Sequence, residues 1–283
     1  VGSFAHDVLV EPVAPGHFRA TLDHSWNLMP LPQGGIVASF ALQAARLEVS
    51  DPDMLLRTCT SVFAGQVSAG ELEIEVQLLR RGRSAIQLLS TVRNPGASAG
   101  TTVLAVFGGQ RRGPTFIDVR PPEVPAPLDC PAFEDGMPEE YALQDPPPFW
   151  SQLESRRALG HPPWEHYEPT NSDSATWLRF RDPPILGDGS LDPLGVLTLA
   201  DRMPGSVEEM VGRSGPRWFA PSADLTVHFL EPLRTEWVLA HDRARWADDG
   251  WASAETTLWD ERGTIVAYAT QMMLFTYLDG ADT

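Results

Sequence analysis

Asp201, Gln271 and Ser222 are polar residues set among apolar ones, and each needs a physical reason to be there. Asp201 follows Leu194, Leu197 and Thr198 by seven, four and three residues. On a helix these four share one face. A carboxylate on that face, near the helix end, is desolvated and meets the negative pole of the helix dipole. Both effects raise its proton affinity toward that of a working general base. The plainer alternative is an acid solvated at a helix end. Gln271 alternates with Ile265, Ala267, Ala269, Met273 and Phe275 on one face of the last strand. A buried amide left unpaired costs about 1–3 kcal/mol. It is therefore either bonded to core backbone or reserved for a reacting group. Ser222 shares a strand face with Asp224 and His228. A serine at a strand start is commonly a turn residue, so spacing alone gives it no role.

Other chemistries find less support. Gly96-Ala97-Ser98-Ala99-Gly100 matches the serine-hydrolase elbow in letters. The elbow needs a strand running into a helix, and here small residues join two strands. His161 and His166 lie in a proline-rich stretch at a spacing without metal-site precedent, so packing or solvent exposure is expected. Cys59 and Cys130 are far apart and form no metal or redox spacing. No glycine-rich phosphate loop or dinucleotide fingerprint occurs. With 38 acidic against 21 basic residues, the net charge is −17. That balance disfavours nucleic acid and anionic membrane surfaces as partners. It leaves room for an anionic small molecule at a local basic patch. Arg80, Arg81 and Arg83 form such a patch, although a hairpin end carrying solvated charge is the simpler reading. No apolar run is long enough for a membrane span.

The elements that must position these residues come in two similar sets. Sliding Phe63–Val92 forward by 166 positions lays it on Phe229–Leu258 without a gap; Thr60 meets Thr226 and Thr91 meets Thr257. In the first half, a short strand at Phe18–Asp23 and a loop lead into an Ala/Leu-rich helix, Ile36–Glu48. Strands are expected near Leu55–Ala64, Glu71–Arg81, Ser84–Arg93 and Thr101–Gly109. Residues 114–170 hold thirteen of the 26 prolines and read as a connector, with one short helix near Phe149–Leu159. The order then restarts with a strand at Thr176–Arg181. Asp192-Pro193 caps a helix running to about Met203, and a short helix covers Ser206–Val211. Strands follow near Ala220–Leu230, Trp237–Trp246, Trp251–Trp259 and Thr264–Phe275. Two units, 1–113 and 171–283, each curl an antiparallel sheet about a helix, giving an α+β fold.

Gln33-Gly34-Gly35-Ile36-Val37-Ala38 entering an Ala-rich helix resembles the central-helix start of hot-dog thioesterases. Leu79-Arg80-Arg81-Gly82-Arg83-Ser84 resembles their strand turn. Asp224-Leu225-Thr226-Val227-His228-Phe229-Leu230-Glu231-Pro232-Leu233 resembles the signature strand of the acyl-CoA thioesterase II family. The resemblance spans nearly the whole chain and implies a double hot dog. It implies an Asp, a Ser or Thr, and a Gln that hydrolyse acyl-CoA, carried here by Asp201, Ser222 and Gln271. Ser222 stands where the family often has Thr. Gly108 lies near the place matching Gln271, so only the second copy is expected to be armed. Asp201 would take a proton from water held by Ser222 and Gln271. Gly34-Gly35 or the Leu194–Gly195 turn would offer N–H groups to the oxyanion, and Arg80, Arg81 and Arg83 would meet CoA phosphates. Such a hydrolase needs no cofactor. A homodimer or larger homo-oligomer is expected because hot-dog sheets commonly pair. Val1-Gly2-Ser3-Phe4 shows neither the basic nor the apolar part of a secretion signal, so the cytoplasm is the expected location. Two rivals stay open: a non-catalytic acyl-CoA or lipid binder, and a thioesterase for carrier-protein thioesters.

Overall fold

The computed structural model describes residues 3–142, 146–212 and 218–278. The first half holds α1 (Phe4–Asp7), β1 (Glu11–Ala14), β2 (His17–Leu22), α2 (Gly34–Val49), β3 (Leu55–Phe63), β4 (Gly70–Arg81), β5 (Ala85–Arg93) and β6 (Thr101–Gly108). The second holds β7 (Leu153–Leu159), β8 (Ser174–Phe180), α3 (Pro193–Ala200), α4 (Pro204–Val211), β9 (Trp218–Phe219), β10 (Ser222–Phe229), β11 (Val238–Asp248), β12 (Trp251–Asp260), β13 (Ile265–Leu274) and β14 (Thr276–Tyr277). Among the described residues no helix is long and apolar enough to cross a membrane.

Twelve strands form one continuous sheet in the order β1-β2-β4-β5-β6-β3-β10-β13-β12-β11-β8-β7. The halves join where β10 pairs antiparallel with β3. There Thr226 lies opposite Thr60, Asp224 opposite Val62 and His228 opposite Thr58. A 166-residue offset exchanges the members of these pairs, so a local two-fold axis passes between Thr60 and Thr226. Their hydroxyls meet at 3.0 Å, with a sequence separation of 166. Helix α2 packs on β4, β5 and β6, while α3 and α4 pack on the strands of the second half. The two central helices, α2 and α3, also touch one another.

The two cores are filled in opposite ways. Ile74, Ile86, Leu88 and Val103 line the first sheet, and α2 meets them with Ala38, Ala41, Ala44 and Ala45 among its buried residues. At the matching sheet positions the second half has Ala240, Ala252, Ala254 and Ala269. There the bulk comes from the helical side, through Leu194, Leu197, Leu199, Met203 and Val207. At these positions the side-chain bulk comes from the sheet in the first half and from the helical side in the second.

The short elements α1, β1, β9 and β14 are not expected from the sequence, and three expected features differ. The short helix expected at Phe149–Leu159 is a 3-10 turn, Pro148–Gln152, followed by β7. Prolines tolerate the first helical positions, and the open edge of β8 then captures the chain as a strand. The helix expected to reach Met203 stops at Ala200. Pro204 lacks an N–H for the Ala200 carbonyl, and its ring would clash with that carbonyl, so α3 must break. Pro204 instead starts α4. Finally, α2 begins at Gly34, two residues early, because Gln33 serves as its N-cap. Cys59 and Cys130 are buried free thiols, and burial pushes Cys59 up to about 12.

Candidate active site

Asp201 caps the broken end of α3 and leaves the helix with φ −85° and ψ 73°. Its Oδ2 accepts the Gly35 N–H at 2.8 Å, from the first turn of α2. Its Oδ1 accepts Gln271 Nε2 at 2.7 Å and the Ser222 hydroxyl at 3.4 Å. Gln271 Nε2 also contacts Ser222 Oγ. The three side chains therefore converge from a helix end and two strands. Gln271 is buried, and its Oε1 has no partner among the described residues.

A β-bulge brings Ser222 to this point. The register of β10 against β13 shifts between Ser222 and Asp224. Ser222 lies opposite Met273, which is buried, and Leu225 opposite Gln271. Without the extra residue Ser222 would share the outward face of Asp224 and His228, as plain alternation suggests. The bulge turns it inward and separates it from them. Asp224 instead accepts the Met272 N–H at 2.8 Å, and His228 stacks on Tyr268. The first half repeats the bulge, between Leu56 and Thr58. The 166-residue offset takes Ser222 to Leu56 and Gln271 to Ala105, both buried and apolar. Ala105, not Gly108, is the residue that the offset matches to Gln271.

Glycine is required where the helices meet. A Cβ on Gly35 would lie 2.9 Å from Thr198 Cα and 3.1 Å from the Leu197 carbonyl oxygen. One on Gly34 would lie 2.9 Å from Asp201 Oδ2 and 2.9 Å from the Phe63 ring. The absence of both side chains lets the α2 N-terminus reach the carboxylate. Asp201 thus sits between two poles: the unfavourable end of its own short helix and the favourable start of the longer α2. Burial raises its proton affinity most; the Gly35 N–H, Gln271, Ser222 and the Gly34 N–H oppose this, and the net shift is upward. Among the described residues no cation forms an ion pair with it.

The remaining candidates fall elsewhere. The Gly35 N–H is taken by Asp201. The Leu194–Gly195 turn has no donor to spare either. Asp192 accepts Leu194 N–H on its side chain and the Gly195 and Val196 N–H groups on its carbonyl. Arg81 donates to the Glu48 and Val49 carbonyls, closing the C-terminal end of α2. The sixteen residues of α2 put that end about 20 Å from Gly35. Arg80 and Arg83 line a cleft of about 230 Å³ there with Arg111, and the structure does not bring this trio to Asp201. A larger cavity of about 530 Å³, floored by Leu178, Phe180, Leu191, Leu199 and Leu233, contains none of Asp201, Ser222 and Gln271. His161 binds Glu209 of α4 at 2.6 Å and stacks on Tyr167. Among the described residues no cluster of His, Cys, Asp or Glu fits a metal ion.

Sequence reasoning missed Gln33. Its Nε2 donates to the carbonyls of Thr198 at 3.0 Å and Asp201 at 2.9 Å, while its Oε1 accepts the Ile36 N–H at 3.0 Å. The available signal was its place at an N-cap, where Ser, Thr, Asp and Asn are usual and Gln is not.

A bulged sheet shared by two helix-filled halves, with one polar centre at the helix contact, defines a double hot-dog protein. Solved structures share this fold. A conserved hot-dog protein of unknown function from Alicyclobacillus acidocaldarius is 22% identical, with 98% of each chain covered and a TM-score of 0.80. An acyl-CoA thioesterase II from Mycobacterium marinum is 20% identical, covering 98% of this chain and 100% of that one, with a TM-score of 0.75. At such identities the likeness establishes the fold alone. No curated protein matches the sequence. The family is set by two sequence models: the acyl-CoA thioesterase N-terminal domain matches residues 22–108, and the C-terminal domain matches residues 127–275. The chain belongs to the acyl-CoA thioesterase family.

Proposed function

We propose that the protein hydrolyses acyl-CoA thioesters to a free acid and CoA, using water activated by Asp201. The observation that carries this reading is the convergence of Asp201, Ser222 and Gln271 on one hydrogen-bonded point. The Ser222–Asp201 contact is the loosest of the set at 3.4 Å, and Gln271 Oε1 is free to accept. A water seated there donates one proton toward Asp201 and is oriented by Ser222 and Gln271. Its oxygen attacks the thioester carbonyl carbon as Asp201 takes the proton. Collapse of the tetrahedral intermediate breaks the C–S bond, and the proton passes from Asp201 to the departing thiolate. The raised proton affinity of Asp201 suits both steps.

One observation favours a second reading, a binder that does not hydrolyse. Both helix starts have spent donors on Asp201 or on Asp192, leaving less for an oxyanion. Following free thiol from acyl-CoAs of graded chain length separates the two. Thiol release abolished by Asp201→Asn supports hydrolysis. Tight binding of acyl-CoA without thiol release supports the binder. Competition by free CoA then distinguishes a CoA thioesterase from one acting on carrier-protein thioesters, which would ignore it.

A further inference from the structure

We propose that Gln33 is a positioning residue for Asp201, acting through the backbone of the α3 break. This rests on the thioesterase reading and adds a residue to it. The Gln33 side chain is buried, and every hydrogen-bonding atom it has is in use. One end caps α2 by accepting the Ile36 N–H. The other end donates both amide protons to the end of α3, at the carbonyls of Thr198 and of Asp201 itself. The Asp201 main chain is thereby tied to the same turn of α2 whose Gly35 N–H binds the Asp201 carboxylate. Gln33 fixes where the acid starts, and Gly35 fixes where it points.

The two-fold relation between the halves supplies an internal comparison. Gln33 is the N-cap of α2, and Asp192 is the N-cap of α3. Each cap reaches across to the other central helix. Asp192 meets the Arg46 guanidinium through both oxygens, at 2.9 and 2.6 Å. That clasp joins the helices through charged side chains and touches no backbone near the site. The Gln33 clasp holds backbone carbonyls, one of them belonging to the acid. A charged cap in its place would put a carboxylate against two carbonyl oxygens, which a neutral amide avoids. Both clasps stabilise the helix contact, and only one of them sets catalytic geometry.

The test uses Gln33→Met, of similar length with no hydrogen bonds, and Arg46→Met, which opens the other clasp. In both, Tm should fall. In Gln33→Met, kcat for thiol release should fall about 10- to 100-fold, the scale of misplacing a reacting group by about 1 Å. KM should stay within about twofold, and the acid limb of the pH–rate profile should move to higher pH as the Gly35 N–H loosens from the carboxylate. Arg46→Met should keep the wild-type kcat. Equal kcat in the two variants, or a change confined to KM, overturns the proposal. Should Gln33→Met not fold, Gln33→Ser keeps a neutral N-cap oxygen for the first turn, lacks the donors to the Thr198 and Asp201 carbonyls, and reads the same quantities. If the wild-type protein releases no thiol, the thioesterase reading fails separately. Positioning is then read from the carbon-13 titration of the Asp201 carboxyl, which should move upward in Gln33→Met; an unchanged titration overturns it.

Discussion

Replacing Asp201 with asparagine nearly preserves shape while removing one charge and one proton acceptor, so rate and stability should move in opposite directions. A positioned general base contributes about 10²–10⁴ in rate. Thiol release in Asp201→Asn should fall by about 10³. Stability follows from the sign of the proton-affinity shift. Burial is the largest influence on the carboxyl and raises it, against the opposing donors Gly35, Gln271, Ser222 and Gly34. Below the ordinary carboxylate range, folded and unfolded chains both hold the proton, and the half-buried acid carries no charge penalty. As pH rises through that range the unfolded chain ionises first, and the wild-type protein loses stability until the pH passes the raised folded value. Each pH unit between the two values corresponds to about 1.4 kcal/mol. Asparagine does not ionise and escapes this loss. Gln271 can also turn its unpartnered Oε1 toward the new amide. Urea unfolding at pH 4 and pH 8 measures the effect. The variant should gain on the wild type between the two, with an unchanged m-value. A variant that loses ground as pH rises would show that hydrogen bonds to the carboxylate outweigh its desolvation, and would refute the assignment of Asp201 as a base raised by burial.

Further outcomes follow from neighbouring contacts. Ser222→Ala should reduce thiol release about tenfold or more while Ser222→Thr retains it, since the hydroxyl and not the missing methyl meets Asp201; equal loss in both would remove the hydroxyl from the mechanism. Gly35→Ala should destabilise by about 1–3 kcal/mol in urea, because its Cβ falls 2.9 Å from the Thr198 main chain; a neutral change would mean the helix contact yields freely. Arg81→Ala should lower stability by about 1 kcal/mol through loss of the α2 end carbonyls it binds, with KM for acyl-CoA unchanged; a KM rise would return Arg81 to substrate binding.

Periodicity and punctuation made most of the strands and α2 legible, because strands such as β5 and β6 alternate and Ala-rich α2 has no internal breaker. The 166-residue offset was legible too, and the Thr60–Thr226 pair shows it as a physical axis. Three aspects of the site were not. Alternation placed Ser222 with Asp224 and His228, since a bulge adds one residue that no local propensity demands. Its trace was the odd spacing of inward residues: Leu56 to Cys59 in one half, Ser222 to Leu225 in the other. The end of α3 was placed three residues late, although Pro204 forbids the helix from continuing beyond Ala200. Gln33 stayed hidden because its partners are backbone carbonyls 165 and 168 residues away.

These departures explain why a duplicated fold carries one polar centre. Both halves have the bulge, and both present a helix start to the facing helix, so the scaffold for a site exists twice. Helix α2 runs unbroken for sixteen residues and has no such interruption. Helix α3 is halted after eight by Pro204, which frees the Asp201 backbone to turn toward Gly35 and Gln33. That turn is affordable only where packing tolerates an interrupted helix. The second half pairs the alanines of its sheet with buried Leu197, Leu199 and Met203 on the helical side. The alanine-lined sheet and the interrupted helix thus occur in the same half, the one that carries Asp201. Restoring Ile or Leu at Ala254 or Ala252 should therefore disturb Asp201 as strongly as a substitution beside it, through α3 rather than through contact.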